Sequence, residues 1–415
     1  MPTDDLLSAM LAAAAGSQAD AAARIAALTE HSGAPRLGWL VPPQPQELIG
    51  AAEAILAGYA EYPRRLCVVG TGGWAFAASA VAEASGTDRV VALDLPATAE
   101  LDAVTPPFSC LSVSASGSTF ETGLITDAMV ARSVPVRQLR ERELSARGLA
   151  EHTAMFGAPL STAFAVPALV ADPIATERAY RELSDGYLDL ARDAVGVAEA
   201  LDGGATVAVP TWAGAGTRLW MRQLARQALG GKPGATLNSV EFAVEFAAGS
   251  TVSLDYSEFG RDLPALVRML YHFGVFVAAL GLLQGVPICS ETNVHHYKAL
   301  LGSVPVDWPA GTVHTETALL GPAIADWADG TAVDIVVYRP LPAAAFADSP
   351  PPGPVWTGPR WNHHSFQSGF TDSDRKVAVV AGPATDPLAE GRRRIAVATQ
   401  QSLSPRSALF ALTDN

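Results

Sequence analysis

Three times along this chain a short apolar run ends in a turn of small residues that feeds a helix-like segment: "RRLCVVGTGGWAFAASAVAEA", "FSCLSVSASGSTFETGLITDAMVA" and "ATVAVPTWAGAGTRLWMRQLARQAL". Few folds accept that order. Strands that follow one another through a helix lie parallel, their crossovers are right-handed, and ligands settle at the carboxyl ends of the strands. A parallel sheet covered on both faces also needs apolar strands and sparing charge. Here hydrophobic residues reach 49% and charged residues only 17%. The expected class is α/β, with two doubly wound parallel-sheet subdomains.

At 415 residues the chain can close more than one core. Residues 1–60 read as two Ala-rich helices interrupted by "SGAPRLGWLVPPQPQ", a helical arm serving as a cap or an oligomer contact. Residues 61–202 form the first α/β subdomain; "RVVALDLP", with Asp94 at its end, is its second strand, and its last part is helical. Residues 203–301 form the second subdomain. It closes with "YHFGVFVAALGLLQGVPICSETNVHHYKALLG", a buried helix, a break at Gly285 and Pro287, and a short helix from near Asn293. Residues 302–415 are a C-terminal extension in which "AVDIVVYRP" and "KVAVVAGPA" are strand-like and "DSPPPGP" is a rigid turn or linker.

A formal charge of -14 excludes nucleic acid as a general partner, because such binding needs a basic surface that releases phosphate counterions. An anionic small molecule must then be met by local donors. Cys67, Cys110 and Cys289 are scattered, odd in number and set among apolar residues, which fits neither a disulfide framework nor a thiolate metal site. The start "MPTDDLLSAMLAAAAG" carries acids where a secretory leader carries bases, and no apolar run reads as long enough to span a bilayer. The expectation is a cytoplasmic protein with no membrane partner, no cofactor and no metal.

Glycines 70, 72 and 73 follow a strand and precede a helix, where bare backbone lets a ligand approach N–H groups at a positive helix end. Such a turn is equally a structural one. The serine loop is the denser signal: Ser114, Ser116, Ser118 and Thr119 supply neutral hydroxyls, Gly117 frees the backbone, and Glu121 and Thr122 open the next helix. That set suits a phosphate or sulfonate without a lysine, set against an ordinary capped Ser-rich turn. Arg218, after "AGAGT", can reach an anion or pair with surface acids.

"SASGST" with Glu121 and Thr122 resembles the Ser-x-Ser-Gly-x-Thr-x-Glu loop of sugar isomerase (SIS) domains and the phosphoglucose isomerase family, where it holds the sugar phosphate. "VGTGGW" is similar to that family's Gly-x-Gly-Gly-Ser turn, with Trp74 in place of serine, and "LLQGVPICSETNVHHYKALLG" is similar to its closing segment. The resemblance covers residues 60–301 and implies two SIS-like subdomains, usually paired as a homodimer. It places Lys298 at the family's active-site lysine, which contacts substrate oxygens. Elsewhere the match lapses: Gln227 falls at the family's glutamate base, Ala247 near its ring-opening histidine, Phe156 near an arginine, and His295 at the glutamate before the lysine.

With the usual base missing, Glu241 and Glu245 in "NSVEFAVEF" are the carboxylates to consider, one helical turn apart or on one face of a strand. Flanked by Phe242 and Phe246, either would hold its proton more tightly, as a general base requires; a solvated face is the plainer alternative. Glu291, His295 and Lys298 have helical spacing, so an imidazole and an ammonium can share a face. The resulting expectation is an aldose–ketose isomerase of a small phosphorylated or sulfonated sugar, working through an enediol in a specialised pathway. The rivals are a non-catalytic sugar-phosphate sensor, and a lyase or decarboxylase reusing the pocket.

Overall fold

The computed structural model describes residues 3–17, 19–31, 34–102, 104, 108–114, 116–117, 119–144, 156–201, 205–232, 235, 240–243, 254–290, 294–305, 307–339, 341, 343–346, 351–364, 374–383 and 385–413. The chain packs as two compact units. Unit 1 is Met1–Leu93 with Ala103–Ser290, and unit 2 is Asp94–Asp102 with Glu291–Asn415. This division differs from the four segments read from the sequence, and it moves the nine residues after the second strand into the second unit.

Unit 1 opens with α1 (Thr3–Ala14) and α2 (Asp20–Leu28), a two-strand hairpin β1 (Glu30–His31) and β2 (Ala34–Pro35), and α3 (Pro45–Leu56). Three helices therefore stand where two were expected, because Gly16 turns the chain through a left-handed φ of 77° and ends α1. They are no detached arm: Leu6, Met10, Trp39, Leu48, Ala52 and Leu56 are buried in the same core as the sheets.

The first sheet alternates strands and helices: β3 (Arg65–Gly70), α4 (Gly73–Ser85), β4 (Val90–Leu93), then α5 (Thr98–Asp102), which belongs to unit 2, and β5 (Phe108–Val113), α6 (Phe120–Ala131) and β6 (Val136–Leu139). The order is β4-β3-β5-β6, all parallel. Cys67 and Cys110 stand opposite each other on β3 and β5, and all three thiols are unbridged and buried.

After α7 (Glu141–Leu144), α8 (Thr162–Ala171) and α9 (Pro173–Ala200) supply the expected helical stretch. A second parallel sheet follows, ordered β8-β7-β9, from β7 (Ala205–Ala208), α10 (Ala215–Ala228), β8 (Val240–Ala243) and β9 (Leu254–Asp255). Then α11 (Leu263–Leu283) runs through the core. Contrary to the expectation that no apolar run could span a bilayer, α11 has the length and composition to do so. All its side chains except Ala265, Arg268 and Leu283 are buried inside the unit, so its apolarity serves the core. It ends at Gly285, as read from the sequence.

Unit 2 begins its main run with α12 (Val294–Leu300). The C-terminal extension has a parallel α/β sheet of its own: β10 (Val313–Thr315), α13 (Leu320–Ala328), β11 (Val333–Val337), β12 (Val355–Thr357), α14 (Gly358–His364), β13 (Lys376–Ala381), α15 (Pro387–Leu403) and β14 (Ser407–Leu412). Its five strands are parallel in the order β10-β14-β13-β11-β12. Ile335, Val337, Ala378, Val380 and Phe410 close a core of their own against Leu320 and Ile324 of α13.

Candidate functional site

In the first sheet β4 lies on one side of β3 and β5 on the other, so the strand order reverses between β3 and β5. Ligands of open parallel sheets bind at such a reversal, beyond the carboxyl ends. Both sequence motifs leave the sheet there, since Gly70 and Val113 are register partners at the ends of their strands. Gly72 is the N-cap of α4 with φ 62°, and a Cβ added to it would lie 2.4 Å from Nε2 of Gln223. Only glycine fits that conformation and that approach. Gly73 starts the helix and is buried, and Trp74 beside it is 6% exposed, packed into the core.

The serine loop is organised by its own hydroxyls. Ser114 Oγ donates to Thr119 Oγ1 at 3.0 Å, the Gly117 amide donates to the Ser114 carbonyl at 3.0 Å, and Ser116 Oγ lies 3.5 Å from Thr119 Oγ1. Ser116 and Gly117 are exposed, and Gly117 has φ 66°. Thr119 is the N-cap of α6, yet its side chain makes no capping bond to the helix amides. Thr122, one turn in, is 2% exposed and its Oγ1 has no hydrogen-bond partner among the described residues. Ser112 contributes nothing to a ligand: its hydroxyl is buried against Thr126 Oγ1 at 2.7 Å. Ser118 lies outside the described residues.

Two neighbours were missed in the sequence. Arg140 follows β6, and its Cδ and Nε lie 3.3 Å from where a Gly117 Cβ would stand, which brings a guanidinium to the loop. Its signal was local, an arginine directly after the strand that succeeds the loop, in "VRQLR". Gln223 of α10 is 4% exposed, with its Oε1 lacking a hydrogen bond among the described residues, and it occupies the position against the glycine turn. The resemblance pointed to Gln227, one turn further along the same helix, which is only half-buried. Both are amides.

The third glycine turn does not present an open anion site. Glu83 of α4 places its carboxylate at the start of α10, accepting from the amides of Gly214 (3.1 Å), Gly216 (2.6 Å) and Thr217 (3.0 Å) and from Thr217 Oγ1 (2.6 Å). The amides and helix dipole that would hold a phosphate hold this residue. Arg218, next in the helix, is half-buried, and its Nε makes no hydrogen bond among the described residues.

Glu241 sits on β8, opposite Thr206 of β7, so the strand alternative for "VEFAVEF" holds at that residue; Glu245 lies outside the described residues. His295 and Lys298 are on α12, in unit 2; Lys298 is half-buried in the last turn. Phe156, near the family's arginine position, is 3% exposed and stacks on Trp39 at 5.3 Å between ring centres, a core contact.

A polar relay lies within unit 1 apart from these motifs. His272 of α11 bonds the Tyr256 hydroxyl through Nδ1 at 2.7 Å and Asp193 of α9 through Nε2 at 2.9 Å. A carboxylate only accepts, so Nε2–H donates to Asp193 and Nδ1 accepts a hydrogen bond from the Tyr256 hydroxyl. Burial lowers the His272 pKa, against the opposing pull of Asp193.

No family model and no curated protein matches the chain. Solved structures do. A hypothetical protein from Thermus thermophilus is 14% identical with a TM-score of 0.47, covering 72% of this chain and 94% of its own. A glucose-6-phosphate isomerase from Chlamydia trachomatis is 12% identical with a TM-score of 0.47, covering 72% and 83%. A tagatose-6-phosphate ketose/aldose isomerase from Escherichia coli is 12% identical with a TM-score of 0.36, covering 60% and 95%.

Proposed function

We propose that unit 1 binds the phosphate of a small sugar phosphate at the serine loop and that the protein interconverts aldose and ketose forms through an enediol. The observation that carries this reading is that the glycine turn after Gly70 and the serine loop after Val113 leave adjacent strands at the strand reversal between β3 and β5. The buried Thr122 hydroxyl and the Arg140 guanidinium beside Gly117 add directed donors in a protein whose net charge would otherwise repel an anion. Glu241 or Glu245 lifts the carbon-bound proton. A cytoplasmic homodimer fits this reading.

One observation favours the non-catalytic alternative: the residue against the glycine turn is Gln223, whose amide cannot accept a proton from carbon. Incubation with aldose and ketose phosphates in heavy water separates the two. An isomerase converts one sugar to the other and places deuterium at the carbon that loses its proton, and either Glu241→Gln or Glu245→Gln abolishes both signals while binding persists. Tight binding with neither conversion nor exchange across the panel makes the protein a sensor.

A further inference from the structure

In the unit 2 sheet the chain passes from β11 to β12 in one direction and returns to β13 on the other side of β11, so the order reverses between β11 and β13. Beyond the carboxyl ends of these two strands lies a cavity of about 230 Å³, lined by Arg339, Gly382, Thr385, Arg392 and Arg393 with Tyr338 at its wall. We infer that this cavity is a second anion site, which binds the phosphoryl group of a small phosphate monoester.

The chemistry of the lining carries the inference. Arg339 lies across the end of β13 because residue 382 has no side chain; a Cβ there would stand 2.8 Å from Arg339 Cδ and 3.1 Å from Nη1. Arg393 is 3% exposed; its Nε and Nη2 are taken by Glu390 at 2.8 and 2.9 Å, while its Nη1 is buried with no hydrogen-bond partner among the described residues. Arg392, on the first turns of α15, donates to the Pro96 carbonyl. Burial first, and then the charge of Arg339, lower its pKa against the pull of Asp386. Guanidinium groups lining one half-buried cavity repel one another until an anion enters among them.

The carboxylates nearby are already engaged. Asp386 accepts the Leu388 and Ala389 amides at 2.8 Å, so it caps α15, and Glu390 is held by Arg393. Three guanidinium groups thus line one cavity in a chain of net charge -14. Several forked donors converging on one volume suit the three terminal oxygens of a phosphoryl group better than a single carboxylate.

The test is calorimetric titration of the full chain with inorganic phosphate. Arg339→Met with Arg392→Met is expected to weaken one class of phosphate site at least about 30-fold, and that class survives in Ser116→Ala with Thr119→Ala, which separates it from the serine loop of unit 1. Circular dichroism checks the fold; should the double variant unfold, Gly382→Val displaces Arg339 alone and must give the same direction. Glucose 6-phosphate and adenosine monophosphate are then compared as competitors, and whichever displaces phosphate names a sugar or a nucleotide as the source. An isotherm unchanged by the arginine substitutions, loss of all phosphate binding in the loop variant, or failure of both esters to displace phosphate overturns the assignment.

Discussion

Ser114, Ser116 and Thr119 spend their hydroxyls on one another, which leaves the loop shaped before any ligand arrives. A preshaped donor set loses less freedom on binding than a loose one. Ser116→Ala together with Thr119→Ala is expected to weaken sugar-phosphate binding by about 1.5 to 3 kcal/mol through lost bonds to a charged group. Calorimetry with the fold verified checks this, and an unchanged affinity removes the loop from the site. The loop was legible because its donors fall within nine consecutive residues of one turn, 114 to 122. Gln223 was not, since its place against Gly72 depends on how α10 meets α4, which no local pattern announces.

At the scale of elements, Glu83 shows how a recognisable motif can be closed by a partner that sequence does not reveal. "AGAGT" reads as a ligand turn, but the carboxylate that fills it comes from a residue 131 to 134 positions away. Glu83→Ala leaves three amides at the start of α10 without their acceptor and is expected to cost at least about 2 kcal/mol of stability, measured by denaturant unfolding. The contact between α9 and α11 makes a pH-dependent prediction. Both groups facing His272 are named above: Tyr256 donates to it and Asp193 accepts from it. Because the folded pKa is depressed below the ordinary value of 6.5, the unfolded chain takes up the proton first as pH falls. This contribution is therefore present above about 6.5 and is lost progressively as pH drops toward the folded value. The unfolding midpoint should decline through that window in the native protein and decline less in His272→Gln; equal slopes refute the link.

For the whole molecule, the sequence disclosed the parallel α/β class and most of its strands, including the pair in the C-terminal extension, because buried parallel strands are short, apolar and bounded by turns. It could not disclose that Asp94–Asp102 belongs with residue 291 onward. The tie is long-range: Arg360 grips Asp94 in two bonds, at 2.7 and 3.0 Å, across 266 residues, and no local pattern announces such a partner. Asp94 is nearly buried while Arg360 keeps a third of its surface exposed, so solvent screening trims the loss on Asp94→Ala to about 1 to 3 kcal/mol. Each unit closes its own hydrophobic core, and separate cores are expected to melt as separate cooperative transitions in scanning calorimetry. Asp94→Ala should lower the unit 2 transition. A sugar phosphate held at the serine loop, at about 100 times its Kd, should raise the unit 1 transition by about 2.7 kcal/mol of linkage. That rise should shrink to about 0.3 to 1.3 kcal/mol in Ser116→Ala with Thr119→Ala at the same ligand concentration, while the effect of Asp94→Ala persists. A single transition that moves as one under both perturbations would show that the units fold and bind as one body.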